Sequence, residues 1–370
     1  MVKILLTSDI HLGSEEIPES FRLKTFKKLS YLAKSHDIFI IAGDLFHTNG
    51  INEKSIDFVA SEFKNLRDTG IEIVYTLGDC ELNGNNASLL QKLNVSKLFS
   101  DDGDFSPYHL SRDNQDIYIY GLPACSKRSI PEIKKSSDSG FHIGLFHADF
   151  NLNEKEEIRE NKISVINKED IISLNFDFYA LGHNHYFKLF KYNGRYIGAY
   201  PGSPEAVTFN ENGDRYAISI SIKDNEIYQI KRLTVNSAKL ESIEIDCSQW
   251  SDTSPITDIL KEKNLSDSAL KLKLTGKRNF KFDRSEINKL YATFKNIYIQ
   301  DASIPTINVF ISEFAGEESL RGEFFSMLNS AIKNNELPAN IDMDILSDIF
   351  NKVLNSGFYK LEDLCNYWNA

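Results

Sequence analysis

Six apolar, β-branched stretches punctuate the first half of the chain: VKILLTS (2–8), DIFIIAGD (37–44), IEIVYTLGD (71–79), DIYIYGLP (116–123), FHIGLFHAD (141–149) and FDFYALGH (176–183). Between the first three lie FRLKTFKKLSYLAKSH (21–36) and EKSIDFVASEFKNLRD (53–68). Their apolar residues recur at three- and four-residue spacing, as on one face of a helix. Continuous apolar strands with helices between them imply a sheet buried on both faces, which restricts the fold to an α/β class.

From 187 to 233 the pattern changes to strands and turns without helices, FKLFKYNGRYIGAY and then RYAISISIKDNEIYQIKRL, with YNGR as a hairpin turn. These strands are expected to form a second sheet that completes a sandwich. A polar stretch at 235–254 reads as a linker. LKLKLTG, the helical pattern FDRSEINKLYATF and NIYIQD then make a small β-α-β unit, and after Glu313 the chain reads as helical to YKLEDLCNYW. The expected domains are 1–235, 236–312 and 313–370, consistent with a length of 370 residues.

Composition narrows the function classes. No apolar run approaches the ~20 residues of a membrane span. The start passes from an apolar run straight into Ser, Asp and His with no small-residue cleavage site, so it reads as a first strand, not a signal peptide. Four scattered cysteines, Cys80, Cys125, Cys247 and Cys365, form no CxxC pair and suit a reducing cytoplasm. The net charge of −11 argues against DNA binding by charge alone, since phosphate neutralisation needs a basic field. A DNA role would need local basic patches, a metal centre or a partner.

The ends of the apolar strands carry the chemistry. SDIHLG supplies Asp9 and His11, AGDLFH supplies Asp44 and His47, and GDCE supplies Asp79, Cys80 and Glu81. LFHAD supplies His147, and LGHNHY supplies His183 and His185. Each fragment alone has an ordinary explanation: Asp9 as a helix cap, a Gly-Asp pair as a turn, His147 as a core histidine bonded to backbone. Together they place five of the eight histidines just past apolar runs, and strand ends of an α/β sheet converge on one crevice. Asp and His without cysteine ligands suit Mn, Fe or Zn more than calcium. There are too many for one tetrahedral ion, whereas two ions ~4 Å apart would use them, and such pairs hydrolyse phosphate esters.

The series DxH, GDxxH, a GNH(D/E)-type position, a lone His and GHxH resembles the calcineurin-like metallophosphoesterase family. GDLFH and YPGSPE (200–205) are similar to its Mre11/SbcD-type DNA repair nuclease branch, which includes shorter YhaO-like bacterial proteins. The resemblance covers about residues 1–235. It implies a four-layer double β-sandwich flanked by helices, with a small α/β capping domain, a C-terminal helical segment and a two-manganese site. It further implies that Asp9, His11 and His185 hold one ion, that His147 and His183 hold the other, and that Asp44 bridges them. His47 would help to place the scissile phosphate. The implied partners are DNA and an SMC-like ATPase of the Rad50/SbcC type, docked on the C-terminal region, with pairing of two copies allowed.

The GDCE loop departs from the family pattern, which has Asn and then His there. Asp79 can still ligate the second ion, but it adds a negative charge. Cys80 replaces an imidazole with a weak donor that carries no positive charge, and losing a positioned general acid costs about 10²–10⁴-fold in rate. Glu81 is the candidate replacement proton donor, and simple packing is the alternative for Cys80. The expectation is a metal-dependent DNA exo- or endonuclease with reduced activity. The alternatives are an impaired scaffold that joins DNA to the ATPase and a phosphodiesterase for small molecules. Two stretches are basic, 126–135 and 270–284; the second interleaves Phe280 and Phe282 with cations and is a candidate nucleic-acid contact or a solvated strand edge. Leu320, Phe324, Phe325 and Leu328 lie at helical spacing, as core or as a partner groove.

Overall fold

The computed structural model describes residues 1–82, 87–100, 106–124, 133–136, 139–151, 165–263, 265, 267–282, 284–338 and 341–356. Most of the basic stretch 126–135 and the terminal YKLEDLCNYW lie outside these residues. The chain divides into two compact units, Met1–Lys239 and Leu240–Ala370.

The first unit runs β1 (Val2–Thr7), α1 (Glu19–Ala33), β2 (Ile38–Ala42), α2 (Glu53–Arg67), β3 (Glu72–Thr76), α3 (Asp79–Leu82), α4 (Ala87–Gln91) and β4 (Lys97–Phe99). It continues with β5 (Tyr108–Arg112), β6 (Gln115–Leu122), β7 (Phe141–His147), β8 (Asp149–Phe150), β9 (Val165–Ile166), α5 (Lys168–Leu174) and β10 (Phe178–Gly182). Two hairpins finish it: β11 (Lys188–Tyr192) with β12 (Arg195–Tyr200), and β13 (Tyr216–Lys223) with β14 (Glu226–Thr234). Two six-stranded sheets result, in the orders β14-β13-β1-β2-β3-β4 and β11-β12-β10-β7-β6-β5.

Side-chain alternation builds four layers from these sheets. In β1, Ile4 and Leu6 face the second sheet while Leu5 faces the helices; in β2, Ile38 and Ile40 face inward while Phe39 and Ile41 face out. Inward residues of β7 and β10 (Ile143, Leu145, Phe178, Ala180) meet those of β1 to β3 in a shared core. The outer face of the first sheet packs on Phe26 and Leu29 of α1 and Val59 and Phe63 of α2. The outer face of the second packs on Ile171 and Leu174 of α5. Truncating a residue such as fully buried Phe63 to Ala costs about 3–5 kcal/mol.

The helix-free region does not form a sheet of its own. The hairpin β11–β12 joins the second sheet beside β10, but β13–β14 returns to the first, where β13 pairs antiparallel with β1. Strand β1 had an open edge once β2 lay on its other side, and the continuous β-branched face of β13 fills it. The YNGR turn has Asn193 and Gly194 at φ of 47° and 80°, the left-handed pair that matches hairpin twist.

The second unit holds β15 (Lys239–Asp246), α6 (Ser254–Lys261), β16 (Ser268–Thr275), β17 (Lys277–Arg278), α7 (Arg284–Thr293), β18 (Ile297–Asp301) and β19 (Ile304–Pro305). Helices α8 (Ile307–Phe314), α9 (Leu320–Lys333) and α10 (Met343–Ser356) follow. β16 and β18 are parallel, with α7 crossing between them. β15 lies within the stretch that reads as a linker: it alternates charged residues with Ile243 and Ile245, which pack on the core of this unit. The boundary expected at 312/313 falls inside α8, whose Ile307 and Phe310 pack with Phe325 and Leu328 of α9. Leu320 and Phe324 are exposed, at 87% and 46%.

The second basic stretch is largely tied down. Lys273 pairs with Glu244 at 3.0 Å, and Lys277 lies 3.2 Å from Asp344. Buried Arg278 lies 3.6 Å from Asp301 and 3.5 Å from Glu313. These cations serve the unit's own cohesion. Among the described residues no helix is long and apolar enough to cross a membrane.

Candidate metal centre

Strands β1, β2 and β3 run parallel, as do β7 and β10, so their C-terminal ends open on the same side of each sheet. Asp9 and His11 follow β1, Asp44 and His47 follow β2, and Asp79 and Cys80 follow β3. His147 is the last residue of β7, and His183 and His185 follow β10. Backbone bonds zip the loops together: Asp9 N–H donates to Gly43 O at 3.0 Å and His11 N–H to Asp44 O at 2.9 Å. The backbone N–H of His183 donates to both oxygens of Asp9, at 3.0 and 3.2 Å, which ties the two sheets at this point.

Four of these residues hold left-handed backbone without being glycine: Asp9, His11 and Asp44 at φ near 50° (50°, 49° and 49°) and His183 at 100°. Such strain persists only where the surroundings enforce it, and it concentrates at functional sites. Two glycines are required by close approach. A Cβ on Gly43, itself at φ 86°, would overlap the His147 ring, and one on Gly78 would overlap the Asp44 carboxylate.

The side chains converge as two triads. Asp9, His11 and His185 each offer a ligand atom within 4.8 Å of the others, and so do Asp79, His147 and His183. Asp44 stands between them, with Oδ2 3.6 Å from Nε2 of His11 and 3.8 Å from Nε2 of His147. His47 and Cys80 form a further group with His11 at the same 4.8 Å limit. The rings of His11 and His47 are 5.7 Å apart. His11, Asp44, His147 and Cys80 are buried, whereas His183 and Asp79 are partly open, at 26% and 32%.

Hydrogen bonds select which nitrogens are free. His147 Nδ1–H donates to Ala42 O at 2.9 Å, and His185 Nδ1–H donates to Glu211 at 2.8 Å. Both imidazoles therefore aim Nε2 into the cluster, the arrangement of histidines that ligate metals. His147 Nε2 lies 3.0 Å from Oδ1 of Asp79. That hydrogen bond, ahead of the burial that opposes it, holds the Asp79 carboxyl at about 2. Burial opposes a charge on His147, yet its bond to Asp79 and the fields of Asp44 and Asp9 outweigh it and raise the imidazole to about 10. Three carboxylates and four inward imidazole nitrogens thus demand positive charge at their centre, and the donor set fits divalent cations.

Glu81 is in a different place from the other candidates. Its oxygens accept from the backbone N–H of Gly78 (2.7 Å), Phe46 (2.9 Å) and Asp44 (3.1 Å) and from the Tyr75 hydroxyl. It is 2% exposed and braces the loops after β2 and β3 from behind. Burial raises its pKa, but every oxygen is engaged with the scaffold, which is at odds with a proton donor to substrate. The Cys80 thiol is also pushed up, first by burial and then by Asp44 and Asp79.

Sequence reasoning did not single out Glu211, which orients His185 and is itself held by Arg215. It lies in an irregular loop with no motif to mark it. Asp149, 3.8 Å from Nε2 of His183, was also passed over, although its two-residue spacing from His147 places it on the same extended face. Beside His185 a cavity of about 220 Å³ is lined by Tyr186, Phe187, Tyr216 and Arg232.

The sequence profile of calcineurin-like phosphoesterases matches residues 2–219. The chain belongs to this family. The matched region holds every candidate ligand from Asp9 to His185. Curated relatives include an uncharacterized metallophosphoesterase, YhaO, of Bacillus subtilis, 23% identical over 61% of this chain and 59% of that protein. The DNA double-strand break repair protein Mre11 of Sulfurisphaera tokodaii is 28% identical over 56% of this chain and 55% of its own. That of Methanopyrus kandleri is 26% identical over 56% and 49%. The chain thus spans about half the length of the curated relatives it matches. Among solved structures, a dimetal phosphatase from Danio rerio covers 64% of this chain and 98% of that one, at 10% identity and a TM-score of 0.41.

Proposed function

We propose that the chain is a metal-dependent phosphodiesterase that cleaves DNA, with two divalent cations at the strand-end cluster. The observation that carries this reading is Asp44, whose one carboxylate oxygen lies between His11 and His147, at 3.6 and 3.8 Å. Asp9, His11 and His185 would hold one cation, Asp79, His147 and His183 the other, and Asp44 both. Bound there, the pair would supply Lewis acidity toward a phosphoryl oxygen and a nucleophile at neutral pH.

The chain's own residues do the rest. His47, beside His11, orients the phosphoryl group and offsets its charge. Glu81 and Glu211 keep the ligands in place. Tyr186, 58% exposed and next to His185, offers a ring face on which a base stacks, with Arg232 at the cavity wall. Similarity to the two archaeal Mre11 proteins supports DNA as substrate. With a net charge of −11, affinity for DNA must come from the centre and such local contacts. In the second unit, exposed Leu320, Met327 and Ile345 on α9 and α10 offer an apolar surface for an SMC-like ATPase partner.

The test uses the full chain with Mn²⁺ on single-stranded DNA, double-stranded DNA and a chromogenic phosphodiester, beside Asp44→Asn. DNA cleavage by the native chain alone supports the reading. Cleavage of only the small diester redirects it to small phosphodiesters. Cleavage of neither favours the non-enzymatic scaffold, for which the imidazole-free position at Cys80 is the specific observation.

A further inference from the structure

Cys80 is the one candidate whose chemistry the reading above leaves unused. Its backbone N–H donates to Oδ1 of Asp44 at 3.0 Å, so the thiol is fixed against the carboxylate that stands between the two triads. Sγ lies 3.7 Å from Nδ1 of His11. With Asp44 and Asp79 it forms a group whose ligand atoms all lie within 4.8 Å, and with His11 and His47 it forms another. Bonds of about 2.3 Å to sulfur and about 2.0–2.2 Å to oxygen set ligand-to-ligand spans of that order. The thiol is 9% exposed. Around the sulfur stand the carboxylates of Asp44 and Asp79 and the imidazoles of His11 and His47, and the thiol also meets the Thr48 side chain. Next to it, Nδ1 of His47 is buried with no hydrogen-bond partner among the described residues.

We propose that Cys80 is a thiolate ligand of this centre, joining Asp44 and Asp79, and that it tunes the site toward thiophilic divalent cations such as Zn²⁺ or Co²⁺ at the expense of Mn²⁺. The inference rests on the two-cation reading of the cluster. When the sulfur–metal bond forms, the thiol proton leaves to solvent and no electron is transferred. Soft thiolate ligands favour zinc over manganese, whereas carboxylate and water suit manganese. The substitution at this position therefore exchanges a charge-bearing imidazole for a metal-selecting sulfur.

The test strips the full chain with a chelator and titrates it with Co²⁺, recording visible and near-ultraviolet absorption. The expected result is a near-ultraviolet sulfur-to-cobalt charge-transfer band that grows stoichiometrically in the native chain and is missing from Cys80→Ser, with visible d–d bands in both. The ratio of Zn²⁺ to Mn²⁺ affinity should fall at least tenfold in the variant. X-ray absorption of the zinc-loaded native chain needs no variant and should show a sulfur shell near 2.3 Å. Visible bands without charge transfer, or a zinc shell of only nitrogen and oxygen, would overturn the proposal and leave the two-cation reading intact. No cobalt spectrum at all would remove both.

Discussion

Nε2 of His11 and Nε2 of His185 face each other at 3.1 Å, although the two residues stand 174 positions apart in sequence. With Nδ1 of His185 donating to Glu211, the two lone pairs can share one proton or converge on one cation. His185→Ala removes half of that pair. Metal content by elemental analysis should fall from two ions to about one per chain. Hydrolysis should fall by more than the roughly 10–100-fold that loss of an outer partner costs.

Glu211 is such an outer partner, and Glu211→Gln keeps its shape while removing the charge that Nδ1 of His185 and Arg215 both meet. Calorimetric titration should show affinity for one of two cations weakened by about 10–100-fold. The cation held by Asp79, His147 and His183 should bind as before. Equal weakening at both sites would mean that Glu211 supports the fold instead.

Glu81 separates bracing from catalysis. Glu81→Gln would press an amide donor against the N–H groups of Gly78, Phe46 and Asp44, leaving buried donors unmatched at a cost of about 1–3 kcal/mol. Thermal unfolding should therefore shift down by several degrees, on a scale of about 2–4 °C per kcal/mol for a unit of this size. Lost hydrolysis with unchanged melting would restore the role of proton donor.

Tyr186 separates DNA from small substrates. Tyr186→Ala should raise the KM for single-stranded DNA by about 5–150-fold, the equivalent of about 1–3 kcal/mol of base stacking. Turnover of the chromogenic diester should be unchanged. If both substrates suffer alike, the ring serves His185 and not a base.

Much of the centre is legible in the sequence because chemistry there is tied to strand ends: an apolar run followed by Gly-Asp or Gly-His marks Asp44, Asp79 and His183 directly. The required glycines carry the same information, since Gly43 and Gly78 exist to let His147 and Asp44 approach. Partner choice between distant strands is not legible, so the return of β13 to β1 could not be read from alternation. The strand at Lys239–Asp246 was masked by charge on its outward face. Glu81 shares the loop of true ligand candidates, yet the helical turn of α3 directs it backward to Tyr75. Glu211 had no signal, because what marks it is a contact across 26 residues of irregular chain. The basic run at 270–284 shows the opposite failure: a local charge pattern whose partners, Glu244 and Asp344, become visible only in three dimensions.

Crystals of the full chain grown with excess Mn²⁺ and measured at the manganese absorption edge test the central claim most directly. Two anomalous peaks about 4 Å apart are expected, one touching Asp9, His11 and His185, the other Asp79, His147 and His183, with Asp44 on both. A pocket with no peak, or a single peak that Asp44 does not touch, would contradict it.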